Sequence, residues 1–99
     1  MKLPLLLAAA LVATPAYAAF QNGDALYKDC SSQMGSFETG FCVGYIAGVV
    51  DSSEKCIPIA VKLREARDVV LQYLRDHPEK RHLEADALVL AAIQEAFCK

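Results

Sequence analysis

Four cysteines and two histidines carry the side chains of this chain best suited to nucleophilic, acid–base or metal chemistry. They are Cys30, Cys42, Cys56 and Cys98, with His77 and His82. A thiol nucleophile needs a free cysteine of lowered pKa with a histidine beside it. A structural zinc site draws on Cys-x-x-Cys pairs or on histidines at ligand spacing, and neither pattern occurs. His77 and His82 lie on either side of Pro78, five apart, which suits neither a metal pair on one helix face nor a base with its orienting partner. The carboxylates are scattered, and a glycine-rich phosphate loop and a Gly-x-Ser-x-Gly elbow are both absent. The expectation is a non-enzyme with no catalytic residue, metal or cofactor, in which the four cysteines are paired.

The N-terminal segment makes disulfides the default. Residues 1–18 read MKLPLLLAAALVATPAYA, with one charge at Lys2, an apolar run from Leu3 to Val12 and a small-x-small close at Ala16-Tyr17-Ala18. This is the layout of a secretory signal peptide, and its apolar run is too short to span a bilayer. The short n-region fits a bacterial Sec substrate, so the expected product is a periplasmic domain of residues 19–99. An even number of cysteines in a small exported chain reads as two disulfides. Such a domain buries only about 60% of its extended surface and commonly needs covalent staples. Without Lys2 it has nine basic against twelve acidic residues, net −3. No basic stripe marks a nucleic-acid partner, and no later stretch is long enough to bind it in a membrane once the signal is removed.

The elements that position these residues read as four helices and no strands. The first runs roughly over 24–32, with Leu26, Tyr27 and Cys30 on its apolar side and Gly35 beyond its end. The second covers about 38–51, with Ser36 as the N-cap. The third, about 59–76, opens behind Pro58 and spaces Leu63, Ala66, Val70, Tyr73 and Leu74 along one buried face. Its other face, Lys62, Arg64, Glu65, Arg67 and Asp68, reads as solvated, with weak ion pairs. His77 precedes Pro78 and is pushed out of the helical region, so the helix stops there. The fourth, about 83–97, buries Leu88, Val89, Ala92, Ile93 and Phe97. Neither repeats nor linkers divide the chain. The fold class is all-α, a small four-helix domain stapled by two disulfides. Of three possible connectivities, helix order favours Cys30–Cys42 across the first hairpin and Cys56–Cys98 between the neighbouring ends of the third and fourth helices.

Two stretches invite a functional account. Gly44, Ala47 and Gly48 form a flat strip on the second helix. The expectation is close packing against the third or fourth helix, with an intersubunit contact as the rival, so Gly48→Leu should overpack the fold. The loop from residue 75 to 82 gathers Arg75, Asp76, His77, Glu79, Lys80, Arg81 and His82 around Pro78. It is either a solvated connection or a recognition loop, and these seven are the candidate partner-binding residues. On that reading, joint replacement of Glu79, Lys80 and Arg81 by alanine should weaken binding and leave stability unchanged.

The order and spacing of several markers resemble a known family. They are Asn22-Gly23-Asp24 to Cys30, Phe41-Cys42, Gly44-Tyr45, Gly48, Asp51, Cys56-Ile57-Pro58, His77-Pro78-Glu79 and Phe97-Cys98. Together they resemble the Rap/Tai family of type VI secretion immunity proteins, over essentially the whole mature chain. The resemblance implies a small helical periplasmic toxin inhibitor, commonly a homodimer. Its implied partner is a secreted Cys/His peptidoglycan amidase effector, whose active site it covers stoichiometrically. Other readings of the same features are an acid-stress periplasmic chaperone and an envelope-binding module without a toxin. A broad client range at low pH separates the first of these from a single tight partner at neutral pH.

Overall fold

A computed structural model of the chain describes residues 20–53 and 61–98. Among the described residues there are four α-helices, α1 (Gly23–Cys30), α2 (Phe37–Asp51), α3 (Leu63–Asp76) and α4 (Ala85–Phe97), with a 3-10 turn at Pro78–Lys80 ahead of α4. No strand occurs among the described residues; the nearest thing is one antiparallel bridge between Asn22 and Glu84. The segment read as a signal peptide lies outside the described residues, as does the stretch from 54 to 60 that holds Cys56 and Pro58.

Helix starts follow from local chemistry. The first backbone N–H groups of a helix lack internal partners, and a polar side chain or a carboxylate supplies one. Asn22 Oδ1 accepts from the Ala25 N–H at 2.9 Å, and Ser36 Oγ accepts from the Thr39 N–H at 3.2 Å. At the start of α3 the Glu65 carboxylate accepts from the Lys62 N–H at 3.0 Å. That capping sets the start of α3 at Leu63, later than the hydrophobic spacing suggested. Leu63, expected on the buried face, is the first helical residue and is 45% exposed, while Val61 just ahead of it packs against the core. Between α1 and α2 the chain turns through Gly35, whose φ of 86° lies in the left-handed region.

α1 packs on α2, α3 on α4, and α2 against both α3 and α4. Leu26 and Cys30 of α1 meet Cys42 and Ile46 of α2, Ala66, Val70 and Leu74 of α3, and Leu88, Val89, Ala92 and Ile93 of α4 in one core. Tyr73 and Phe97 lie at its edge, partly buried. The Cys30–Cys42 disulfide closes the first hairpin, Cα to Cα 5.0 Å, as helix order suggested. With twelve residues of separation, closing that loop stabilises the fold by about 3 kcal/mol on the chain-entropy account. It is the one disulfide seen among the described residues. The other expected pairing ends at Cys56, outside them, and Cys98 is not a free thiol.

The glycine strip is where the structure departs from expectation. A Cβ built on Gly40, Gly44 or Gly48 meets nothing within 4 Å. At 100° per residue, Cys42 and Ile46 share one side of α2 and Gly40, Gly44 and Gly48 the opposite one. The disulfide and the buried Ile46 turn the first side inward. The strip therefore faces away from the core, with Phe37 (82% exposed) and Phe41 (41%) on the same outward face. Gly44 and Gly48 line an open groove of ≈ 530 Å³ bordered on the α4 side by Asp86 and Leu90. The glycine that does permit a close approach is Gly23. A Cβ there would stand 2.5 Å from Leu88 Cδ1, 2.7 Å from the Arg81 carbonyl oxygen and 2.8 Å from Arg81 Cα.

Candidate functional site

Gly23 lets the chain ahead of α1 lie directly against the loop that follows the 3-10 turn. Gly23 N–H donates to the Leu83 carbonyl at 2.9 Å, Asp24 N–H to the Arg81 carbonyl at 2.8 Å, and Ala85 N–H to the Gln21 carbonyl at 3.1 Å. The 75–82 segment is thus held at both ends, by α3 on one side and by α1 on the other. A loop fixed in this way loses little conformational entropy on meeting a partner.

The seven residues singled out in the loop separate into two groups. At its head, α3 stops at Asp76 and His77 adopts φ −126° and ψ 62°, outside the helical region as the following proline requires. The His77 ring lies 4.4 Å from the Tyr73 ring, and its Nδ1 is 3.1 Å from Glu79 Oε2. Lys80 Nζ donates to the Tyr73 hydroxyl at 3.5 Å. Gln72 ties Arg75 and Asp76 together, accepting from Arg75 Nη1 at 3.2 Å and donating to Asp76 Oδ1 at 2.9 Å. Arg75, Asp76, Glu79 and His82 are exposed. The Glu79 backbone N–H, and after it the His77 ring, hold the Glu79 carboxyl below its ordinary pKa of 4.5. An open groove of ≈ 320 Å³ runs beside this group, lined by Gln72, Tyr73, Asp76, His77, Glu95 and Ala96 among others.

Arg81 forms the second group and is far less free than a solvated loop residue. Its guanidinium Cζ sits 4.1 Å from the centroid of the Tyr27 ring, and its side chain is 19% exposed. Its Nε lies 3.7 Å from Asp24 Oδ1. The expectation that Arg81 can be removed with Glu79 and Lys80 at no cost to stability therefore changes: stacking on Tyr27 makes it a tether between the loop and α1.

Sequence reasoning missed Tyr27, Tyr73 and Gln72 as members of this surface. Both tyrosines were assigned to apolar faces. Their rings are indeed partly buried against the core, but the Tyr73 hydroxyl accepts from Lys80 and the face of the Tyr27 ring lies under Arg81. The amphipathic character of tyrosine is the signal that could have found them. His77 and His82, unconvincing as a pair in sequence, stay apart in role: His77 pairs with Glu79, and His82 lines a shallow pocket with Phe20, Gln21 and Asn22. Among the described residues no group of histidine, cysteine and carboxylate side chains is set to hold a metal ion, and no helix is long and apolar enough to cross a membrane.

No curated protein and no solved structure matches the chain. A family model does. It spans residues 22–98, from the N-cap of α1 to the residue that closes α4, so it takes in the whole loop, both of its anchors and the hairpin disulfide. The chain belongs to the Rap1a immunity proteins.

Proposed function

We propose that the mature chain is a periplasmic immunity protein that binds a secreted type VI peptidoglycan amidase and covers its active site with the 75–82 loop. The observation that carries this reading is a charged, exposed loop held rigid at both ends in a member of the immunity family. Arg75, Asp76, His77, Glu79, Lys80 and His82 make the contacts, and Arg81 holds the loop in place while presenting its outer edge. Inhibition is stoichiometric, so the chain itself performs no catalysis and uses no cofactor. Residues 1–18 direct export and are removed, leaving a single domain from residue 19. Cys56 and Cys98 form the second staple, and the protein acts as a homodimer.

The test is a pull-down with the purified, oxidised mature protein as bait for the secreted and periplasmic proteins of its own strain, read by mass spectrometry at neutral and acid pH. Recovery of one stoichiometric amidase at neutral pH, inhibited by the bait in a cell-wall hydrolysis assay, is the expected result. A crowd of unrelated clients captured only at acid pH would replace this reading with a chaperone.

A further inference from the structure

The turn between α1 and α2 presents a sulfur atom to a guanidinium. Met34 lies in that turn, next to Gly35, and is 62% exposed. Its Sδ is 2.8 Å from Nη2 of Arg67, near the start of α3. The backbone on either side of Met34 is fixed. The Gln33 carbonyl accepts from Thr39 Oγ1 at 2.7 Å and from the Ser36 N–H at 3.1 Å, and Gly35 holds its left-handed conformation. Arg67 is held as well: its side chain is only 15% exposed, and Nη1 donates to Asp68 Oδ1 at 3.0 Å. The acceptor facing Nη2 is therefore a thioether, one of the weakest that a side chain offers. Met34 stands outside the hydrophobic core.

We propose that Met34 is a redox-modification site, at which hydrogen peroxide converts the thioether to a sulfoxide that Arg67 then binds. The sulfur lone pair attacks one peroxide oxygen, and the S–O bond forms as the O–O bond breaks. The departing hydroxide takes the proton from the transferred oxygen and leaves as water. Sulfur gives up two electrons and the peroxide accepts them. Exposure of Met34 admits the oxidant, and the Arg67 N–H beside the sulfur receives the new oxygen. A weak contact to sulfur is thereby exchanged for a charge-assisted hydrogen bond to oxygen. Methionine oxidation ordinarily disrupts a protein by placing a polar group among apolar side chains. Here no core contact has to be given up, so the modification ties the α1–α2 turn to α3 more firmly. The site stands apart from the 75–82 loop and does not depend on that loop binding an effector.

The experiment treats the purified, disulfide-bonded protein with hydrogen peroxide, locates the added oxygen by peptide mass spectrometry and follows thermal unfolding before and after. The expected result is one oxygen on Met34, a Tm raised by about 2–4 °C, and return to the starting Tm after the two methionine sulfoxide reductases act together. In Arg67→Leu the oxygen should still be added but the rise should vanish, and Arg67→Lys should keep part of it. Each variant is compared with its own untreated form, so the cost of losing Arg67 itself cancels. Met34→Gln, whose amide oxygen imitates the sulfoxide, should melt above Met34→Leu without any oxidant. A fall in Tm on oxidation, an equal rise in Arg67→Leu, no oxygen on Met34, or a Met34→Gln protein no more stable than Met34→Leu would overturn the proposal.

Discussion

Replacing Gly23 by alanine should be among the most damaging single-methyl changes available in this protein. The added Cβ would lie 2.7 and 2.8 Å from the Arg81 carbonyl oxygen and Cα, and 2.5 Å from Leu88 Cδ1. Leu88 can shift a rotamer, but the two Arg81 atoms are backbone and must move with their segment. Relief therefore means lifting the loop off α1, against the Gly23-to-Leu83 and Asp24-to-Arg81 hydrogen bonds. Overpacking costs about 1–3 kcal/mol and a strained hydrogen bond about 1 kcal/mol. Alanine returns at most about 1 kcal/mol of helix propensity, less at the first helical residue. The net is a loss of about 2 kcal/mol, which for a domain of this size lowers Tm by about 8–16 °C. Gly48→Ala is the matched control. Its Cβ meets nothing within 4 Å, so it should gain up to about 1 kcal/mol and raise Tm by about 4–8 °C. Thermal unfolding by circular dichroism on oxidised protein measures both. A Gly23→Ala protein as stable as the parent would refute the close approach, and a destabilised Gly48→Ala would show that the strip faces the core after all.

The remaining expectations concern the loop and the staples. Glu79→Ala with Lys80→Ala should weaken effector binding and lower Tm less than Arg81→Ala, which should lower it by about 4–8 °C, roughly 1 kcal/mol for the lost stacking and stem packing; equal melting of the two variants would remove the tether. Because the Glu79 carboxyl is held below 4.5, its contribution is present above pH 4.5 and is lost as pH falls through the lowered folded value. Glu79→Gln should flatten that acid limb of a stability–pH curve, and an unchanged limb would show that the carboxylate's bonds to its own backbone N–H and to His77 contribute nothing. Thiol titration of the unreduced mature protein in denaturant should find no free thiol; two would leave Cys56 and Cys98 unjoined. Cys30→Ala with Cys42→Ala should cost about 3 kcal/mol, read as a fall in the urea midpoint.

Much of the architecture was legible because it follows from strong local signals. Ser36 as an N-cap, the break at His77 before Pro78, the periodic burial of Val70, Leu74, Leu88, Val89, Ala92 and Ile93, and the hairpin pairing of Cys30 with Cys42 all rest on such signals, and all are found. Other features left no local trace. α2 is apolar nearly all round, so hydrophobic spacing could not say which side turns inward. The rotation is set at Cys42 by a bond to another helix. The same reasoning misplaced the close-approach glycine. Gly44 and Gly48 look like a packing motif in sequence, whereas Gly23 sits in a plain N-terminal turn and is crowded by residues some sixty positions away.

The candidate site divides along the same line. Its charges stand within eight consecutive residues, and any reader of the chain finds them, because charge and a rigid proline are properties of a short stretch. Their grouping depends on contacts between distant segments. Arg81 leaves the exposed set because the ring of Tyr27 lies beneath it. Helices and their ends are encoded by neighbours a few residues apart. Which faces meet is set by where the disulfide and the core bring separate helices together, and that arrangement is written in no one segment.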